Sequence, residues 1–77
     1  DLASRYLHVF CKGNGQAFFQ LYNVAGQLLT QQSEVLAQGQ LRPIAISLPM
    51  SLKNGSLLLM VVHYETRRAF FRFIIDN

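Results

Sequence analysis

The chain has 77 residues, which is enough for one hydrophobic core and excludes an organisation in two domains. Apolar residues make up 51% of it and charged residues only 14%, a balance that excludes a disordered tail and predicts a packed domain. The net charge is +3, and the seven Lys and Arg residues are scattered, so we expect no nucleic-acid partner.

The first part of the chain predicts a β-hairpin. Residues 6–12 alternate between the two faces of a half-buried strand, with Leu7 and Cys11 on the same face. Gly13-Asn14-Gly15 follows and supplies residues that adopt the positive φ angles of a tight turn. The chain is therefore predicted to return as a second strand over residues 16–23.

The next connection has the strongest local turn signal. Asn23 and Gly26 occupy the first and fourth positions of a type I turn, where Asn can bond to the backbone that follows it and Gly can adopt a left-handed conformation. We predict a partner strand over residues 28–32, a polar loop over residues 33–40 and another half-buried strand over residues 44–48.

Two apolar strands close the chain. Asn54 and Gly55 predict a tight turn that leads into a strand over residues 56–64, and residues 65–68 turn the chain into a last strand over 69–75. Both strands are apolar on both faces, which is typical of strands that are covered on two sides. Their surplus apolar surface is covered either by other parts of the sheet or by a partner.

The predicted fold is therefore all-β, an immunoglobulin-like antiparallel sandwich of about six or seven short strands that occupies residues 1–77 as one domain, with helices absent or trivial. The run from Leu57 to Val62 is the longest apolar one and is too short for a membrane-spanning helix. Because the core is small and charges are few, we expect dimerisation or strand exchange at high concentration, so a homodimer is one predicted partner state.

Residues that could carry catalysis are too few and too far apart. His8 and His63 lie on different predicted strands, with no metal-ligating residues at a suitable spacing. We expect no enzyme, no metal and no cofactor, because a catalytic carboxylate pair is also missing. The acidic residues are Asp1, Glu34, Glu65 and Asp76, two of which lie at the chain ends.

Cys11 is the only cysteine, so an internal disulfide is excluded. It falls in the middle of a predicted strand. Two interpretations are open, a small buried apolar side chain or a reactive thiol, and free cysteines are commonly buried.

Residues 19–29 read Phe-Gln-Leu-Tyr-Asn-Val-Ala-Gly-Gln-Leu-Leu and resemble the C-terminal sorting domain of proteins exported by the type IX secretion system. That family has a strand, a Tyr-Asn or similar pair, two residues, a glycine, a polar residue and a second strand. The similarity continues through residues 44–48 and then 52–55, which resemble the Leu-x-x-Gly turn of the family. Residues 57–61 and 69–75 correspond to its last two strands.

The chain departs from the family pattern in three places. The Asn-Pro pair common near the family's start is replaced by residues 1–4, and Leu57 stands where an aromatic residue is common. The Lys-rich closing segment is represented by Arg67, Arg68 and Arg72. Cleavage of the domain and its retention on the cargo are both open.

The resemblance implies an immunoglobulin-like sandwich that the outer-membrane export machinery recognises, and whose partners are the translocon, a sortase-like protein and an upstream cargo domain. We therefore expect the C-terminal piece of a longer secreted protein, found in the periplasm in transit and then at the outer membrane, at the cell surface or outside the cell. The candidate contact residues are Arg67, Arg68, Phe70 and Arg72, and the turn residues are Asn23, Gly26, Asn54 and Gly55.

An alternative function is also open. A small β-sandwich can serve as an accessory module that packs on a neighbouring domain or binds a protein or a carbohydrate. Sugar-binding sandwiches often present exposed tryptophan, and this chain has none, which weakens the case for a carbohydrate ligand and leaves it open.

Overall fold

The computed structural model describes residues 5–75, apart from the side chain of Gln38. This range has four β-strands and no helix, so the all-β prediction is confirmed. Residues 1–4, which replace the Asn-Pro pair of the sorting-domain pattern, lie outside the described residues, as do residues 76–77. The strands are β1 (Arg5–Asn23), β2 (Leu28–Leu48), β3 (Leu57–Tyr64) and β4 (Arg67–Ile74), and they form one antiparallel sheet in the order β2-β1-β3-β4.

The predicted number of strands is wrong, because β1 and β2 each join segments that the sequence suggested were separate. Gly13-Asn14-Gly15 is not a hairpin turn and lies inside β1. Gly13 pairs with Gln40 and Gly15 pairs with Leu36, so the register between β1 and β2 shifts at this point. The extra residues of this bulge are on β2, where residues 37–39 lie opposite Asn14 alone. Gly15 and Gly39 supply the positive φ angles of the irregularity, 103° and 69°.

The predicted polar loop over residues 33–40 is also wrong, because β2 continues through it. A straight strand of 21 residues would extend about 70 Å. The whole fold measures 35 Å along its longest axis, so β2 must double back. Gln32 Nε2 donates to the carbonyl oxygen of Ala45 at 2.9 Å, and Arg42 Nη2 contacts Glu34 Oε1 at 3.0 Å. These polar side chains bridge the two halves of β2.

The core forms between the two halves of this folded sheet. Residues from the second half of β1 and from the far end of β2 belong to one apolar cluster, which gives the fold a sandwich-like packing although its strands are continuous. Leu7 and Cys11 pack against this cluster, as their alternation predicted. The buried members are Ala17, Phe19, Leu21, Leu36, Ile44, Ile46, Leu48, Leu58, Met60 and Ile75.

The turn between β1 and β2 confirms its sequence prediction. Asn23 Oδ1 accepts hydrogen bonds from the backbone N–H groups of Ala25 and Gln27, both at 3.0 Å. The Gly26 N–H donates to the Asn23 carbonyl at 3.0 Å, and Gly26 has a φ of 83°. Asn23 thus satisfies turn donors that would otherwise depend on water, and Gly26 adopts the left-handed conformation at no steric cost.

The turn before β3 is confirmed as well. The Ser56 N–H donates to the Lys53 carbonyl at 3.1 Å, and Gly55 between them has a φ of 89°. The Gly55 N–H also donates to the Ile75 carbonyl at 2.7 Å, which fixes the residue that follows β4 to this turn. Asn54 adds a side-chain contact, since its Oδ1 lies 3.5 Å from Arg5 Nη2.

Cys11 occupies the middle of β1 opposite Arg42, half-buried against the core. Burial raises the pKa of the Cys11 thiol above its ordinary value of 9.0, because a thiolate would lose hydration there. This placement agrees with the interpretation as a small apolar side chain.

We expect Cys11 to react slowly with iodoacetamide near neutral pH, and more slowly than the same thiol in the urea-unfolded chain. The raised pKa means that the native state binds the proton more tightly, so its stabilising effect is present below pH 9.0 and is lost as the pH rises above it. Alkylation rates and urea melts across this range check both statements, with Cys11→Ser as the control. Equal alkylation rates for the folded and unfolded chains would contradict the prediction.

Candidate binding groove and edge strand

The outer face of β1, β3 and β4, opposite the core, forms an open groove of about 570 Å³. Its walls are mostly apolar, and all three strands contribute side chains at alternate positions. We call this feature the groove. The strand residues that line the groove include Gln20 and Tyr22 from β1, Val61 and His63 from β3, and Arg68, Phe70 and Arg72 from β4.

Strand register determines which side chains are neighbours across the groove. Gln20 pairs with Val61, and Val61 pairs with Phe70, which makes one row across the three strands. Leu59 lies between Tyr22 and Arg72 in the next row. Each row therefore ends at β4 with a different kind of side chain, one aromatic and one cationic.

The floor of the groove is held by contacts between β1 and β3. Val61 is only 8% exposed although it faces away from the core. His63 Nε2 and Gln20 Oε1 are 2.9 Å apart, which is a hydrogen bond between neighbouring strands. The rings of Phe18 and His63 have centroids 6.1 Å apart. These contacts give the groove a preformed floor.

The charge in the groove is of one sign. Arg68 and Arg72 line it, and no carboxylate from residues 5–75 does. Glu34, one of the described acidic residues, pairs with Arg42 on β2. Across residues 5–75 this is the sole ion pair, so the guanidinium groups of Arg68 and Arg72 are not neutralised within the described part of the fold.

Strand β4 lies at the edge of the sheet and pairs with β3 alone among the described strands. Large apolar side chains on both of its faces are exposed: Phe70 and Ile74 at 62% each and Phe71 at 50%. An edge strand with this much apolar surface is a template for pairing with another chain. The surplus apolar surface predicted from the sequence is therefore present and uncovered by residues 5–75.

Three of the four predicted contact residues are brought together. Arg68, Phe70 and Arg72 follow one another along the groove side of β4. Arg67 does not join them, because it pairs with Tyr64 beside the β3–β4 turn and its side chain alternates to the other face. All four are exposed.

The residues that β1 and β3 contribute to the groove were not predicted from the sequence. Tyr22 and His63 are far apart in the chain, and only the register of β1, β3 and β4 brings them into one groove with Arg72. A signal was available for β1, since Gln20 and Tyr22 alternate with the buried Phe19 and Leu21 and so had to lie on the outer face.

No group of three or more His, Cys, Asp or Glu side chains that could hold a metal ion occurs within residues 5–75. That range also lacks any helix long and apolar enough to cross a membrane.

Comparison of the chain with family models, with curated proteins and with solved structures gives no match. The groove and the free edge of β4 are therefore the features on which a functional argument can be based.

Proposed function

We propose that the domain is a non-catalytic recognition module, and specifically a C-terminal sorting domain read by the type IX secretion machinery. The observation that carries the proposal is the exposed, apolar and basic edge strand β4, the last of the four described strands along the chain. A receptor can recognise such a strand through backbone hydrogen bonds and through pockets for alternate side chains.

The resemblance to sorting domains supports the same proposal. Its two turn motifs coincide with real turns, at Asn23–Gly26 and at Asn54–Gly55. The second of these turns is bonded to Ile75, so the turn and the end of β4 form one unit. On this proposal the domain passes through the periplasm with an upstream cargo, and its partners are the translocon and a sortase-like protein.

The test is a fusion of residues 1–77 behind an inert periplasmic reporter in a bacterium that has this secretion system. We expect the reporter to reach the cell surface or the medium, and to remain in the periplasm when residues 69–77 are deleted. Cell fractionation and protease accessibility measure the outcome. Retention of both reporters in the periplasm would count against an export function.

Point variants separate loss of recognition from loss of folding. Phe70→Asp changes an exposed side chain on β4, whereas Phe10→Asp makes the same change at an exposed position on the first half of β1. We expect the Phe70 variant to be retained in the periplasm and the Phe10 variant to be exported. Equal export of the two variants would show that β4 is not what the machinery reads.

A second function is favoured by one feature of the same strand. Phe71 is exposed on the face of β4 opposite Phe70, so β4 has apolar surface on both sides. An accessory module that packs on a neighbouring domain would use both faces. Export that depends on Phe70 but not on Phe71 would favour the sorting function over this alternative.

A further inference from the structure

We propose that the free edge of β4 and the groove beside it bind an extended peptide from a partner protein, whose groove-facing residues alternate between carboxylates and large apolar side chains. This inference rests on the proposed function and specifies the class of ligand, an extended peptide, that the recognition module binds. Binding of such a peptide by the purified domain does not require export, so the two proposals can fail independently.

The backbone is the first argument for a strand-shaped ligand. Nothing in residues 5–75 pairs with the outer edge of β4, although this strand continues for eight residues. Its outward N–H and C=O groups match those of an added strand, and eight residues is about the length of an ordinary strand in a sheet. A peptide bound there would become the fifth strand of the sheet.

The side chains on the groove face of β4 determine the expected pattern of the peptide. Arg68, Phe70 and Arg72 occupy alternate positions, and Ile74 follows at the same interval. Directly opposed residues on neighbouring strands interact, favourably for opposite charges and for apolar pairs. The complementary strand therefore has an acidic residue opposite each arginine and an apolar residue opposite Phe70 and Ile74.

Charge complementarity selects the acidic class. The two arginines are four residues apart, which is about 13 Å along a strand, and carboxylates four residues apart on an added strand have the same spacing. No carboxylate of the described chain lines the groove. Arg–carboxylate pairs can be bidentate, which adds geometric specificity to the attraction.

A second copy of the chain fits this edge less well. Strand β4 carries Arg67, Arg68 and Arg72 and no acidic residue, so pairing two β4 strands would bring six arginines to one seam without a carboxylate from either strand. Like charges across a strand pair are destabilising. The acidic peptide removes this repulsion, and the dimer becomes an outcome of the test.

The experiment uses a fluorescein-labelled peptide of about eight residues, with glutamate at the second and sixth positions, valine at the fourth and eighth, and threonine elsewhere. Fluorescence anisotropy with the purified 77-residue chain measures binding. We expect saturable binding that weakens with salt. A peptide of the same composition with one glutamate moved by one position should bind at least about fivefold more weakly, because its carboxylates face opposite sides of the strand.

Charge reversal identifies the contact residues. We expect Arg72→Glu to weaken binding of the glutamate peptide about tenfold or more. The same variant should bind a peptide with lysine in place of glutamate more tightly than the parent chain does. Arg67→Glu, with the same charge change on the other face of β4, should alter affinity by less than about threefold. Both sites are exposed, so unchanged thermal melts are expected for both variants.

Backbone methylation distinguishes strand addition from a purely electrostatic contact. In an added strand, the amides of alternate residues point toward β4 and the others point away. We expect N-methylation of one alternating set to abolish binding and methylation of the other set to leave it within about threefold.

Three results would overturn the proposal: equal effects of the two methylated sets, equal affinity of Arg72→Glu and Arg67→Glu, or a dimer in sedimentation that the peptide does not dissociate. The last result would make a second copy the occupant of the β4 edge.

Discussion

Replacement of Phe19 by alanine is expected to leave the domain largely unfolded at room temperature. Phe19 is 1% exposed and is one of the largest fully buried side chains in the core. It lies in the strand that has neighbours on both sides, paired with Gln32 of β2 and with Val62 of β3. Removing a buried phenylalanine costs about 3–5 kcal/mol, because the lost burial is added to the cost of the cavity.

That cost is large compared with the stability of a domain of this size. Stabilities of about 0.05–0.15 kcal/mol per residue are usual, and short chains bury the smallest fraction of their surface. A 77-residue chain therefore has only about 4–12 kcal/mol in total, and the lower part of this range is expected. Urea unfolding followed by circular dichroism measures the loss.

Phe18→Ala is the matched control for Phe19→Ala. Phe18 is the adjacent residue with the same side chain, but it is only partly buried and contacts His63 on the outer face of the sheet. We expect this variant to cost about 1–2 kcal/mol, since part of its ring is already in water. A loss for Phe18→Ala equal to that for Phe19→Ala would show that the core is not confined to the Phe19 face of β1.

The face of β1 could be predicted from the sequence because alternation is a local property. Cys11 and Phe19 are both odd-numbered residues of β1, and both side chains point toward the core. The turn at Asn23–Gly26 could be predicted for a similar reason, since the Asn side chain and the left-handed Gly act within four residues. Local chemistry was sufficient for both features.

The continuity of the long strands could not be predicted in this way. Gly13-Asn14-Gly15 has the same local preferences in a hairpin turn and in a bulge, and only its partner on β2 distinguishes them. That partner segment is polar, so its composition suggested a loop. In the structure Glu34 and Gln32 are instead bonded to Arg42 and Ala45 across the folded strand, and these contacts join residues 8 and 13 positions apart.

The candidate site was predictable to the extent that it lies on one strand. Phe70 and the arginines beside it were predicted as contact residues because this strand resembles the basic closing segment of sorting domains. The opposite wall of the groove depends on how β1, β3 and β4 are registered, and a residue such as Tyr22 has no local feature that assigns it to a site. Sequence therefore identified one wall of the groove, and the fold supplied the floor and the other wall.

Gly13 lies where the register between β1 and β2 shifts, at the bend that was not predicted from the sequence. A Cβ atom at this position would lie 3.0 Å from Tyr64 Oη and 3.2 Å from Leu36 Cδ1. Leu36 is in the buried core, and the Tyr64 hydroxyl is hydrogen-bonded to the backbone of Asn14 on both its donor and its acceptor side. Neither neighbour can move away without losing contacts.

Overpacking usually costs about 1–3 kcal/mol, and the preference of valine over glycine for a strand offsets a few tenths to about 1 kcal/mol of that cost. We therefore expect Gly13→Val to destabilise the domain by about 1–2 kcal/mol net. Thermal and urea melts measure the change. Lys12→Val is the control for strand propensity. Because Lys12 is exposed, this substitution should change the free energy of unfolding by less than about 0.5 kcal/mol.

Removing the Tyr64 ring tests whether this contact is the cause. If Gly13 is required because the ring packs against it, the cost of Gly13→Val should fall by more than half in a Tyr64→Ala background, which gives a coupling energy that a double-mutant cycle can resolve. A Gly13→Val variant as stable as the parent chain, or one with the same cost in both backgrounds, would contradict the prediction. The glycine would then be required only for the backbone conformation of the bulge. The Glu34–Arg42 and Gln32–Ala45 contacts would hold the two halves of β2 together without a contribution from Tyr64, the last residue of β3.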